Sequence, residues 1–107
     1  MKIDFLAGTE DEIRALPTRE LQLECMQLII RAGQGVFGLP LGPDPRTGDL
    51  SGCRKIYFGN TSWRVVVRYV PSERSPVRTV VLAVGARADM QVYHDAVQRL
   101  TGPSDGQ

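Results

Sequence analysis

Cysteine and histidine are scarce in this chain, and no apolar run in it is long. Two cysteines, Cys25 and Cys53, and one histidine, His94, leave no Cys/His set at zinc-ligand spacing. That excludes a metal held by imidazole or thiolate, and a paired-histidine nuclease site; no cofactor is expected. No stretch approaches the ~18 consecutive apolar residues of a membrane span, and Met1-Lys2-Ile3-Asp4-Phe5-Leu6 lacks the parts of a secretory signal. The expectation is a cytoplasmic protein. Charge of one sign is also missing, since 13 Lys+Arg stand against 12 Asp+Glu for a net +1. Taken alone, that balance argues against a chain that lives on nucleic acid.

The length, 107 residues with 42% hydrophobic and 23% charged, suits one globular domain over 1–102, with 103–107 as a flexible tail. A core of this size leaves room for a surface cleft and not for a deep enclosed cavity. The charge is unevenly spread: residues 1–50 carry five basic against eight acidic groups, and residues 51–107 carry eight against four. The positive half is the second.

Lys2 to Leu6 alternates with period two and predicts a short first strand. Thr9-Glu10-Asp11-Glu12 spells a capping box, with the Thr9 hydroxyl accepting from the Glu12 amide and the Glu12 carboxylate reaching back to Thr9. The short helix it opens buries Ile13 and Leu16 and ends at Pro17. A second helix from about Thr18 to Ala32 places Leu21, Cys25, Leu28, Ile29 and Ala32 on one stripe, stopped by Gly33 and Gly35. Residues 33–52, rich in Gly and interrupted by Pro40, Pro43 and Pro45, read as connecting loop. Three strands follow, Cys53 to Phe58, Trp63 to Val70 and Val77 to Val84. Last comes a helix from about Asp89, its capping residue, to Leu100, burying Val92, Tyr93, Ala96, Val97 and Leu100 and stopped by Gly102-Pro103. The order β-α-α-β-β-β-α predicts an α+β fold, a small antiparallel sheet with two N-terminal helices and one C-terminal helix.

If Gly59 to Ser62 closes a hairpin, Phe58 faces Trp63, Tyr57 faces Arg64, Lys55 faces Val66 and Cys53 faces Arg68. Alternation then puts Lys55, Tyr57, Arg64 and Arg68 on one face, together with Val66, Thr79, Val81 and Ala83. Ile56, Phe58, Trp63, Val65 and Val67 lie on the other, with Val80, Leu82 and Val84, and form the core under the long helix. Three cations on one sheet face suit either a solvated surface or a phosphate-binding groove in which guanidinium forks pair with phosphate oxygens. Arg87, just after the last strand, is placed to turn toward the same groove. Trp63, Cys25 and Cys53 read as packing residues, and His94 sits beside the buried stripe of the last helix.

Four segments together carry a resemblance: Gly48-Asp49-Leu50-Ser51-Gly52-Cys53-Arg54-Lys55-Ile56-Tyr57-Phe58, Trp63-Arg64-Val65-Val66-Val67-Arg68, Val84-Gly85-Ala86-Arg87, and Val92 to Leu100. In this order they resemble the RelE/ParE superfamily of bacterial type II toxins, over residues 48–100, with the N-terminal half similar in general pattern only. The resemblance implies the RelE fold and, for the RelE branch, a toxin that enters the ribosomal A site and cuts messenger RNA by attack of the ribose 2'-hydroxyl on the adjacent phosphate. It also implies a cognate antitoxin as partner, beside the ribosome and mRNA. Carried over by position, Lys55 falls on the first strand lysine of the catalytic set, Arg64 on its central arginine, Arg87 on the arginine after the last strand and Tyr93 on the tyrosine that orients the substrate. Tyr57 stands where a second lysine is usual; its phenol is a proton donor without positive charge at neutral pH. Arg54 and Arg68 are further candidate RNA-binding cations. The alternative in the same superfamily is a ParE-like toxin that binds DNA gyrase and cuts nothing.

Overall fold

The computed structural model describes residues 1–101. The 103–107 tail and the Gly102-Pro103 helix stop lie outside the described residues. The elements are β1 (Lys2–Phe5), α1 (Thr9–Arg14), α2 (Arg19–Ala32), the two-residue strands β2 (Leu39–Pro40), β3 (Pro43–Asp44) and β4 (Gly48–Asp49), β5 (Cys53–Phe58), β6 (Trp63–Val70), β7 (Arg78–Ala86) and α3 (Gln91–Thr101). A single 3-10 turn, Ala88–Met90, joins β7 to α3. No helix among the described residues is long and apolar enough to cross a membrane.

The main sheet has the order β1-β7-β6-β5-β2. The hairpin register between β5 and β6 is the expected one, Phe58 with Trp63, Tyr57 with Arg64 and Cys53 with Arg68. The sheet is antiparallel except at one edge, where β1 runs parallel to β7. The segment read as connecting loop contributes β2 to the opposite edge and folds β3 and β4 into a small hairpin of its own. Pro40 is tolerated in β2 because an edge strand leaves one side of its backbone unpaired.

The largest departure from the sequence pattern is on β7. Val66 pairs with Ala83, but Val67 pairs with Val81, so Leu82 is an extra residue in a β-bulge. One extra residue inverts the alternation for everything before it in the strand. Val81 therefore joins the α2-side core with Ile56, Phe58, Val65, Val67 and Val84, and Thr79 bonds the Ala32 carbonyl of α2. Leu82 and Ala83 go to the other side, with Val80 packed against them. The expected assignments of Thr79, Val80, Val81 and Leu82 are thus exchanged.

That other side is not a solvated face. α3 covers much of it, forming a second apolar cluster from Leu50, Cys53, Val66, Leu82, Ala83, Val92, Tyr93 and Ala96. On the α2 side Tyr69, 1% exposed, ties the helix end to the sheet: its hydroxyl lies 2.9 Å from the carbonyls of Ala32 and Gly35 and accepts from the Phe37 N–H at 3.0 Å.

Two helix starts also differ. Gly8, in the left-handed region at φ 95°, is the N-cap of α1, and the buried Thr9 hydroxyl donates backward to the Leu6 carbonyl instead of capping. Glu12 is drawn away to Arg99, as described below. Asp89 does not cap α3; it lies within the 3-10 turn at φ 61°.

Candidate functional site

The β5–β6 hairpin sets Tyr57 directly across from Arg64. Its turn is tight enough to put Gly59, Asn60 and Thr61 at φ 59°, 55° and 68°. A β-branched threonine is strained in that region, and Arg64 helps to hold it there, because its Nη1 donates to the Thr61 carbonyl. The same nitrogen lies 3.2 Å from the Trp63 carbonyl, while Nε donates to the Tyr93 hydroxyl at 3.1 Å. Arg64 is therefore not an exposed cleft residue, as the solvated-face reading had it: it is 5% exposed, with its guanidinium 3.7 Å from the Tyr57 ring centroid. A cation over an aromatic face is held by the ring quadrupole.

Lys55 flanks the same ring, its Nζ 5.3 Å from the centroid. The phenol of Tyr57 is pulled below its ordinary pKa, first by the Lys55 ammonium as a donor to its oxygen, and further by the charges of Lys55, Arg64 and Arg87. Arg87 reaches the site from the start of the turn that follows β7. Its backbone N–H donates to the Ser62 carbonyl at 2.8 Å, fixing the start of the 3-10 turn beside the hairpin turn and leaving the side chain exposed. Asp89 and Met90, at φ 61° and 56°, then redirect the chain so that α3 brings Tyr93 back under Arg64.

Lys55, Tyr57, Arg64, Arg87 and Tyr93 line one cleft of about 520 Å³, and the β3–β4 hairpin supplies its other wall through Asp44, Arg46 and Thr47. The structure thus brings together the five candidates drawn from the strand, turn and helix motifs. It does not add the other two. Arg68 shares the face of Arg64 but lies beyond Val66 and does not line the cleft; Arg54 points to the α2 side, bonded to Glu73 at 2.9 and 3.2 Å and to the Gly38 carbonyl at 2.6 Å. The cationic cluster is Lys55, Arg64 and Arg87.

Arg46 was missed. It bonds Asp44 through its backbone N–H at 2.8 Å, Nε at 3.1 Å and Nη2 at 2.8 Å, and holds that carboxyl down at about 2. The Asp44-Pro45-Arg46 run was its only signal, in a stretch whose Gly and Pro content reads as linker. The two thiols are placed as packing groups: burial pushes Cys25 up to about 12 and Cys53 to about 11.

No protein-family model matches the sequence, and no curated protein sequence does either. Solved structures do match. An arginine-to-alanine double mutant of the E. coli toxin RelE in the free state superposes with a TM-score of 0.69 at 21% identity, over 92% of this chain and 96% of that one. The isolated E. coli RelE toxin gives 0.63 at 21% identity, over 92% and 97%. The chain has the RelE fold. A third RelE structure, the double mutant in complex with a peptide of the antitoxin RelB, gives 0.53 at 24% identity over 92% and 95%. Since each RelE chain is covered almost end to end, the likeness includes the N-terminal helices as well as the sheet, where the sequence resemblance was weakest.

Proposed function

We propose that this protein is the toxin of a type II toxin-antitoxin pair, a cytoplasmic, ribosome-dependent endoribonuclease that cuts messenger RNA. The RelE fold and the likeness to a structure described as a toxin bound to its antitoxin support the toxin reading. The observation that carries the nuclease reading is the convergence of Lys55, Tyr57, Arg64, Arg87 and Tyr93 on one cleft.

Cleavage by 2'-hydroxyl attack forms a bond from the 2'-oxygen to phosphorus and breaks the bond to the 5'-oxygen, leaving a 2',3'-cyclic phosphate. The attacking hydroxyl passes its proton to solvent in the open cleft, the leaving oxygen takes one from an acid of the site, and negative charge builds on the phosphoryl oxygens between. Preorganised cations are the economical way to stabilise that charge. Arg64 is held from three directions before any substrate arrives, and among the described residues its Nη2 has no hydrogen-bond partner. Arg87, exposed beside the same hairpin turn that holds Arg64, closes on the phosphate from solvent. Tyr57, with its pKa lowered between Lys55 and Arg64, exchanges a proton more readily than an ordinary phenol and takes the place of the usual second lysine as proton donor to the leaving oxygen. Tyr93 positions Arg64 through its hydroxyl.

Mapping transcript ends after brief expression tests the reading. Codon-phased cuts in translated messages that vanish with Arg87→Ala are expected; intact messages with altered plasmid supercoiling would sink it in favour of the gyrase-binding alternative.

A further inference from the structure

On the far side of Arg87 from the main cleft lies a second, more open pocket of about 600 Å³, lined by Thr61, Ser62, Trp63, Ala86, Arg87, Ala88 and Asp89. Arg87 lines both pockets and so forms the ridge between them. Trp63 was read as a packing residue, and one side of its indole does pack, stacked against Phe58 with centroids 6.4 Å apart and close to Leu21 and Gly59. The residue as a whole is only partly buried, and it opens into the second pocket.

We propose that this pocket is a second nucleotide subsite, in which the base next to the one in the main cleft stacks on Trp63 while the phosphate linking the two nucleotides rests on Arg87. The proposal rests on the reading of the main cleft as an RNA site. Three features favour a base there and not a second phosphate or a peptide. Indole offers a π face to any base, which makes stacking tolerant of sequence. Asp89 sets a carboxylate on the wall, which repels a phosphate but accepts from an exocyclic amino group. Among the described residues, the one cation lining the pocket is Arg87, at its border with the basic cleft, where the linking phosphate of a strand crossing the ridge falls.

The positions of the wall residues are firmly set. The bond from the Arg87 N–H to the Ser62 carbonyl joins the two turns that make the pocket, and each turn contains a residue in the left-handed region, Thr61 in one and Asp89 in the other.

Trp63 is the only tryptophan in the chain, so its fluorescence reports on this pocket alone. The probe is a tetranucleotide of 2'-O-methyl RNA, which cannot be cleaved, titrated into the full chain to millimolar concentration. Saturable quenching of the indole emission is expected. By fluorescence anisotropy of a labelled tetranucleotide, Trp63→Leu should weaken binding about tenfold and Trp63→Phe should restore most of it. Ala88→Glu, an exposed change in the pocket wall, should weaken binding without altering the core, and serves where Trp63→Leu does not fold. Binding that depends on Arg87 but leaves the emission unchanged, and is indifferent to Trp63→Leu and Ala88→Glu, would overturn the subsite alone. No binding of the tetranucleotide at all would overturn the subsite, while the presence or absence of codon-phased cuts decides the reading of the main cleft separately.

Discussion

Arg64 and Arg87 are alike in sequence and opposite in setting, and mutation should separate them. Arg87→Ala removes an exposed side chain whose backbone bond to Ser62 remains, so the melting temperature should hold. On the nuclease reading, the rate of mRNA cleavage should fall a hundredfold or more, on the order of the 3 kcal/mol that a charge contact made in the transition state contributes. Arg64→Ala should lose activity and also about 2 kcal/mol of stability, because it leaves the buried Tyr93 hydroxyl and the partly buried Trp63 carbonyl without their donor and removes the cation stacked on Tyr57. Equal melting temperatures for the two variants would contradict the buried placement of Arg64. Tyr57 carries the next prediction. As proton donor it must be protonated, so activity should decline as pH rises through a pKa below the ordinary tyrosine value near 10. Tyr57→Phe keeps the ring between Lys55 and Arg64, and should abolish that alkaline limb while leaving the fold intact. Restoring the usual lysine is the wrong repair: Tyr57→Lys would remove the ring on which Arg64 stacks, set a third cation beside Lys55 and Arg64, and cost about 1 kcal/mol in stability by thermal denaturation.

Between elements, the most consequential contact joins α1, β7 and α3. Past the end of β1, the outer edge of β7 has no strand to pair with, and Glu12 and Arg99 take that part: Glu12 Oε1 accepts from the Val84 N–H at 3.0 Å, and Arg99 Nη1 donates to the Leu82 carbonyl at 2.9 Å. The two side chains also bond each other, Arg99 Nη1 to Oε1 at 2.9 Å and Nη2 to Oε2 at 2.8 Å, with the Glu12 and Arg99 side chains 22% and 24% exposed. Glu12→Ala should therefore destabilise by about 2 kcal/mol in denaturant titration, since it leaves a partly buried N–H and a guanidinium without their acceptor. Glu12→Gln, which still accepts from Val84, should cost less; equal losses would mean that the edge contact contributes little. This contact also shows where sequence reasoning reaches and where it stops. The β5–β6 register was legible because a four-residue turn and alternating burial leave one pairing that buries the valines. The helix stripes were legible for the same reason of periodicity. The bulge at Leu82 was not, since a bulge adds a residue without changing composition, and it alone exchanged the sides of Thr79, Val80, Val81 and Leu82. Nor was the use of Glu12: Thr9-x-x-Glu12 fits a capping box locally, and only the tertiary demand of an unpaired strand edge overrides it. In the cleft, Lys55, Tyr57 and Arg64 followed from the register, whereas Arg46 needed the β3–β4 hairpin, whose two-residue strands leave no periodic signal.

Across the molecule, the near-neutral net charge conceals a cleft in which, Arg46 apart, the described cations are not neutralised. Arg54, Arg78 and Arg99 of the basic half are bonded to Glu73, Asp4 and Glu12. Among the described residues, Lys55, Arg64 and Arg87 have no carboxylate partner, and all three line the cleft. On the toxin reading proposed above, an acidic, initially disordered antitoxin segment suits this field, because wrapping such a chain over the cleft would neutralise the cations and close the site at once. Its apolar anchors cannot be Val66, Val81 and Ala83, which the sequence pattern had left open but which the two cores bury completely. Apolar side chains do stand at the surface in Val36, Leu39 and Val77, at 39%, 51% and 63% exposure. Nor is Arg68 part of the charge to be covered, since it lies outside the cleft. The informative variant is Lys55→Glu with Arg87→Glu, two reversals at side chains whose loss breaks no core contact. It should weaken the purified toxin-antitoxin complex at least tenfold at low salt, with a much smaller difference at high salt, where screening has already removed the attraction from the unaltered pair. Calorimetric titration at rising salt measures both effects. Affinity that ignores salt and the double reversal alike would mean that the antitoxin binds away from the cleft, on the helices of the acidic half, and inhibits without covering the site.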